Sequence, residues 1–281
     1  MKQEEIKKVV REGYAKIATQ SPIQSSCCGP AASPCCGISN QAQNISKAIG
    51  YSDDEINAVP EGSNLGLGCG NPTALASIKE GETVIDLGSG AGFDCFLAAK
   101  KVGKTGKVIG IDMTTEMIDR ARENARKDNY SRENIEFRLG EIENLPVADN
   151  TANLIISNCV INLSPDKERV FKEAFRVLKP GGRLMISDIV LFQPLPDSIK
   201  NSIDAYVGCV SGALLKDEYL RIIEEAGFQD VEVIQETTFP IDLLLNDPAT
   251  SAAIDKLNLT SEKLAELKNL GASIKVRGIK R

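Results

Sequence analysis

The chain has 281 residues, 42% of them hydrophobic, with 33 basic and 39 acidic side chains, 5% aromatics, and neither tryptophan nor histidine. A net charge of −6 with no basic run supplies neither phosphate neutralisation nor base stacking, so nucleic acid is excluded as a partner. No apolar run approaches the roughly 20 residues of a membrane helix, and the charged start MKQEEIKKVV lacks the apolar stretch of a signal peptide.

Residues 1–20 predict an amphipathic helix with Ile6, Val9, Val10, Tyr14 and Ile17 along one side. Residues 21–44, rich in Ser, Pro, Gly and Cys, read as a mobile loop. YSDDEINAV (51–59) predicts a short helix, with Ser52 as N-cap and Glu55 completing a capping box. PEGSNLGLGCGNP (60–72) is turn chemistry throughout.

From residue 82 the pattern becomes regular. Strands are expected at 82–88, 106–112, 133–141, 151–158 and 183–190, helices at 93–102, 115–129 and 166–178, and a turn at KPGG (179–182). This alternation implies a Rossmann-like α/β fold: a mostly parallel, doubly wound sheet with helices on both faces and right-handed crossovers. Beyond 190, helices at 198–214 and 216–228, a strand at 229–237, a helical stretch at 248–270 and a last strand at 273–279 make a smaller α+β part.

DLGSGAGFD, Asp86 to Asp94, falls between the first regular strand and its helix, where Gly88, Gly90 and Gly92 permit a tight turn and close approach to a ligand. Asp112 ends the next strand, placed to hold a ribose diol. The spacing differs from the dinucleotide G-x-G-x-x-G. Together with IGIDM, LGEIENLPVADN and RVLKPGGRLMISD, it resembles the class I S-adenosylmethionine-dependent methyltransferases over about residues 80–190. That resemblance implies Gly88, Ser89 and Gly90 under the methionine part of the cofactor, Asp112 on its ribose and Met113 against its adenine. It also places Glu141, Ile142 and Glu143 along the adenine border. Asp86, Gly92 and Asn158 belong to the same pocket, with Asp86 and neighbouring carboxylates suited to a cationic ligand.

The eight cysteines are Cys27, Cys28, Cys35, Cys36, Cys69, Cys95, Cys159 and Cys209. Without histidine there is no imidazole base and no Cys-His or Ser-His-Asp pair. Cys95, early in a helix of the fold, reads as a small core hydrophobe. Cys159 follows a strand at its carboxyl end, where α/β sheets put ligands; Cys209 sits among glycines in VGCVSGA, read as a thin part of a helix. Cys69 lies between two glycines and reads as easily approached. The CC-x6-CC spacing of the N-terminal doublets is not a zinc ribbon. A cytoplasmic setting, expected here, disfavours structural disulfides.

NLGLGCGNP, DLGSGAGFDCFLAA, GIDMTTEMI, SNCVINLSPDK and GCVSGA together resemble the arsenite methyltransferase family, through about residue 235. The resemblance implies that Cys159 and Cys209 bind trivalent arsenic, that Cys69 is a third ligand or redox partner, and that an N-terminal cysteine, Cys35 or Cys36, acts with Cys69 in a thiol relay. It implies S-adenosylmethionine as methyl donor, arsenite or its thiol conjugates as substrate, and an external thiol reductant of the thioredoxin or glutathione type. The arsenic lone pair would attack the S-methyl carbon. On this reading residues 1–50 are a helix and Cys-rich loop, 51–190 bind the cofactor, 191–240 complete the arsenic site, and 241–281 have no assigned role. A methyltransferase for an organic small molecule and a thiol-based metalloid binder or sensor are the alternatives.

Overall fold

The computed structural model describes residues 3–19, 37–127, 134–195, 200, 206, 209–238 and 270–281. Its helices are α1 (Gln3–Thr19), α2 (Gly37–Ala48), α3 (Asp53–Asn57), α4 (Pro72–Leu75), α5 (Phe93–Val102), α6 (Thr115–Lys127), α7 (Lys167–Val177) and α8 (Lys216–Glu225). The strands are β1 (Thr83–Leu87), β2 (Lys107–Asp112), β3 (Ile135–Leu139), β4 (Ala152–Asn158), β5 (Leu178–Leu191), β6 (Gln229–Thr238) and β7 (Gly271–Ile279). They form one sheet in the order β3-β2-β1-β4-β5-β7-β6. Pairings from β3 through β5 are parallel; β7 runs antiparallel to both β5 and β6.

Both faces of the sheet are covered, so the central strands are apolar throughout rather than alternating. Successive side chains point to opposite faces. Val84, Val108 and Leu154 pack with Phe96 of α5 and Ile118 of α6. Ile85, Ile109 and Ile155 pack with Phe171 of α7 and Tyr219 of α8. β1 pairs with β2 on one side and β4 on the other, so the chain reverses its strand order between them. A crevice opens at the carboxyl ends of strands at such a point.

Three sequence expectations change. Gly37–Ala48 is helical and overlaps the end of the stretch read as a loop; its buried Ser46 donates to Asn64 at 3.0 Å, and Ile49 and Tyr51 just beyond it pack with Ile56 and Leu97. KPGG is not a free turn but lies inside β5, as an irregularity where the register jumps from Ala152↔Leu178 to Leu154↔Arg183. Residues 209–215 form turns and an isolated bridge, not the end of a helix. The last strand of the smaller α+β part joins the main sheet, antiparallel to both β5 and β6. The helical stretch expected at 248–270 and the cysteine doublets at 27–36 lie outside the described residues, apart from residue 270.

Arg183 on β5 locks the amino end of β1. Its guanidinium makes two bonds to Glu82, at 2.6 and 2.8 Å, and also donates to the carbonyls of Ala76 and Ser77. Although burial opposes it, Arg183 holds the Glu82 carboxyl below its ordinary range. Its stabilisation is therefore present at neutral pH and lost as pH falls through that lowered value. Arg183→Lys keeps the charge but not the planar fork; it should lower stability by about 1–2 kcal/mol at pH 7, read from the urea midpoint, with the difference shrinking in acid.

Candidate active site

The turn after β1 makes the floor of the crevice. Gly88 has φ +69°, and a Cβ there would lie 2.3 Å from a methyl of Val160, so the loop can press on the segment after β4 only as glycine. The amides of Gly90 and Thr114 donate to opposite oxygens of Asp112, at 3.0 and 2.8 Å. That orients the carboxylate and leaves acceptor positions open to a ligand. Ser89 is buried, and its hydroxyl has no hydrogen-bond partner. Asp86, Gly88, Ser89, Gly90, Asp112, Met113, Ile142, Glu143 and Asn158 all line one cavity with Cys69, Cys159 and Cys209. Gly92 caps the start of α5 behind it, and Glu141 stands at the rim.

Below the floor lies a set of buried acids. Burial, with the charge of Asp94 second, pushes Asp86 well up from the usual carboxylate range; burial pushes Asp94 up to about 6 despite bonds from Tyr51 and Asn158. Cys95 donates its thiol proton to Asp86 at 3.1 Å, so it is a core residue, as expected, with a polar task besides. Raised carboxylates favour the folded state while protonated, and that contribution is lost as pH rises through about 6. An ionised pair needs positive charge nearby, and no Lys or Arg makes an ion pair with either acid among the described residues. A cationic ligand fits this floor.

Asn158, the last residue of β4, connects the acids to the thiols. Its amide nitrogen lies 3.0 Å from the Tyr51 hydroxyl, 3.2 Å from Asp94 and 2.8 Å from the Gly70 carbonyl. Its amide oxygen accepts the Cys69 N–H at 3.1 Å. The Cys69 carbonyl accepts the Ser273 hydroxyl of β7 at 2.7 Å. Cys69 is thus held at both peptide groups and buried, contrary to the open loop expected for it. Its flanking glycines serve close packing: a Cβ at Gly70 would lie 2.0 Å from the Ser187 hydroxyl.

Cys159 leaves β4 with φ +58° and Cys209 has φ +64°, left-handed conformations uncommon for side chains with a Cβ. Such strain collects at functional sites. The Cys209 thiol reaches the Cys159 carbonyl at 2.8 Å. The neighbouring thiols of Cys209 and Cys69, together with burial, push Cys159 well above an ordinary thiol. Sγ of Cys69, Sγ of Cys159 and a carboxylate oxygen of Asp188 lie within 4.8 Å of one another.

Helix α1 covers the cavity. Lys7, Val10, Tyr14 and Ile17 line it, and Val10 is fully buried among Cys69, Leu163, Ile189 and Cys209. Lys7 pairs with Glu141 at 2.8 Å and Glu143 at 3.5 Å, and Arg11 with Glu141 at 3.5 Å. Both acids assigned to the adenine border therefore also hold α1; Glu143 further accepts the Ser164 hydroxyl at 2.6 Å. Lys7, Tyr51, Asp94, Asp188 and Ser273 were not singled out from the sequence. Two of them carried a signal there, Asp94 closing DLGSGAGFD and Asp188 closing RVLKPGGRLMISD.

A glycine turn after β1, an acid ending β2 and an antiparallel β7 between β5 and β6 are the construction of a class I S-adenosylmethionine-dependent methyltransferase, and residues 78–227 match the methyltransferase domain family. The chain is 51% identical over 236 residues to the arsenite methyltransferase of Halobacterium salinarum, covering 82% of this chain and 59% of that one. It is 32% identical over 232 residues to the human arsenite methyltransferase, covering 80% and 58%. The crystal structure of an arsenic(III) S-adenosylmethionine methyltransferase from Chlamydomonas reinhardtii aligns with a TM-score of 0.62 at 32% identity, over 89% of this chain and 75% of that one. The chain belongs to the arsenite methyltransferase family. It spans a little under 60% of the length of these two curated relatives. Among the described residues no helix is long and apolar enough to cross a membrane.

Lys7→Met should release α1 from the acids while leaving its apolar face. A partly buried pair of this kind is worth about 1 kcal/mol. Amide exchange across residues 3–19 should rise about fivefold, with the exchange of β1 and β4 unchanged.

Proposed function

We propose that this chain methylates trivalent arsenic, with S-adenosylmethionine as donor. The observation that carries the reading is the meeting of Cys69, Cys159 and Cys209 from three distant segments beside a glycine turn and buried acids, in one cavity. When bound, S-adenosylmethionine supplies an electrophilic methyl group carried on a sulfonium cation. Gly88, Ser89 and Gly90 would lie under its methionine end, Asp112 on the ribose, and Met113 and Ile142 at the adenine. Asp86 and Asp94 give the floor its preference for positive charge.

The thiols bind and orient arsenic. Each arsenic–sulfur bond breaks one arsenic–hydroxide bond of arsenous acid, and the hydroxide leaves as water with the thiol proton. Three bonds thus release three waters, and no histidine is needed. Protonated resting thiols, as burial and crowding favour at Cys159, suit this exchange. Three fixed sulfurs restrict arsenic to one orientation, which is where such a site gains rate. Val10 and Leu163 exclude water around the sulfurs.

Methylation raises arsenic from the trivalent to the pentavalent state. Two thiols supply the two electrons that reverse this, forming one disulfide. Cys69 and a cysteine of the N-terminal doublets, Cys36 or its neighbour Cys35, are the proposed pair, and an external dithiol of the thioredoxin or glutathione type resets them by exchange. In support, the stretch bearing the doublets lies in the sequence between α1 and α2, and Ile17 and Ile45 of those helices line the cavity. A cytoplasmic, reducing setting suits this cycle.

Incubation with methyl-labelled cofactor, arsenite and a thiol should give labelled methylarsenic. Cys159→Ser and Cys209→Ser should each abolish it; full activity in either variant would sink the reading. Binding of arsenite without turnover would select a metalloid binder. Cofactor affinity should also depend on pH. With Asp94 near 6, acidification protonates the floor and removes its attraction for a cation. Calorimetry should find S-adenosylmethionine about tenfold weaker at about pH 5 than at about pH 7. S-adenosylhomocysteine, whose sulfur is neutral, should change less.

A further inference from the structure

Asp188 is fully buried at the thiol cluster, and the arsenic chemistry gives it no task. One oxygen accepts from the Asn162 amide at 2.8 Å and the Ile189 N–H at 2.9 Å; the other accepts from the Tyr219 hydroxyl at 3.0 Å. A carboxylate has about four acceptor positions, so the second oxygen keeps one free. Lys167 interacts with it electrostatically, but its ammonium donates to the carbonyls of Asn162 and Ser164 rather than pairing with the carboxylate. A carboxylate oxygen of Asp188 and the sulfurs of Cys69 and Cys159 all lie within 4.8 Å of one another. The Cys209 thiol adjoins Cys159 through its carbonyl.

Trivalent arsenic takes three sulfurs and keeps a lone pair in the fourth direction, where a carboxylate is repelled. A four-coordinate divalent ion has the opposite need. Zinc takes sulfur at about 2.3 Å and carboxylate oxygen at about 2.0–2.2 Å in a tetrahedron, whose donors then stand roughly 3.3–3.8 Å apart. Cys69, Cys159 and Asp188 reach that by closing about 1 Å; Cys209, whose thiol now bonds the Cys159 carbonyl at 2.8 Å, turns in as the fourth donor.

We propose that Cys69, Cys159, Cys209 and Asp188 form a tetrahedral site for a thiophilic divalent cation of the zinc type, which competes with arsenic for the same thiols. The proposal rests on those three thiols being the arsenic site. Each metal–sulfur bond displaces one thiol proton to the buffer, Asp188 joins as the carboxylate, and nothing is oxidised.

The test uses the full chain, reduced, with Cys27, Cys28, Cys35 and Cys36 replaced by serine, and Co2+ as the probe. Tetrahedral Co2+ with sulfur ligands shows intense visible bands and thiolate charge transfer. One equivalent should bind, and Zn2+ or arsenite should displace it. Asp188→Asn should weaken Co2+ about tenfold and shift the visible bands, with arsenite affinity kept within about twofold. Unchanged Co2+ affinity and spectrum in Asp188→Asn would overturn the proposal, as would absence of a tetrahedral spectrum in a background chain that still binds arsenite. A background chain that binds neither ion overturns the thiol-site reading as well. If Asp188→Asn does not fold, Cys69→Ser carries the test: charge-transfer intensity should fall by about a third, and an unchanged spectrum refutes the site.

Discussion

The Asn158 amide is the joint on which the rest of the site hangs. It stands at the carboxyl end of β4, where the strand order reverses. One end of the amide serves Tyr51, Asp94 and the Gly70 carbonyl; the other takes the Cys69 N–H. A buried amide is costly when its groups are left unpaired. The loop bearing Cys69, the helix bearing Asp94 and the strand leading to Cys159 are therefore tied together at one side chain. No apolar side chain could make those connections. Ser273 completes the hold on Cys69 from β7, which gives the end of the described chain a place in the site as well as in the sheet.

Two electrostatic conditions meet in the crevice. The floor carries acids whose ionised forms are costly without a cation. The wall carries Cys159, whose ionised form is costly beside two other thiols and away from water. Each is uncomfortable in the ligand-free protein, and each becomes favourable when its proposed ligand arrives. The left-handed backbone at Cys159 and Cys209 is a further local cost placed at the same point. Helix α1 limits water above both, held by the Lys7 pairs at one end and by an Arg120 bond to the Ala18 carbonyl at the other.

Much of the fold was legible because its signals are local. The apolar runs of β1, β2 and β4, the amphipathic stripe of α1 and the Ser52 capping box arise from neighbouring residues, and they form as expected. The failures are equally informative. α2 has a polar composition, and the apolar packing next to it is made by Ile49 and Tyr51, which follow it in the chain. KPGG reads as a turn because glycine and proline favour turns, yet pairing on both sides carries β5 through it. GLGCG reads as open, although glycine there allows neighbours to approach rather than leaving them away.

The sequence by itself determined the class of fold, the positions of the glycine turn and of Asp112, and the resemblance that made Cys69, Cys159 and Cys209 worth following. These depend on residue type and short spacing, which the chain carries openly. Only the tertiary structure decided which groups share the site. Asp188 beside the sulfurs, Ser273 behind Cys69, Tyr51 and Asp94 around Asn158, and Lys7 over the rim come from segments far apart in the chain. Nothing near them in sequence announces the encounter. Their meeting follows from strand order, from a parallel sheet that gathers its carboxyl ends along one edge, and from the need of each buried polar group for a partner.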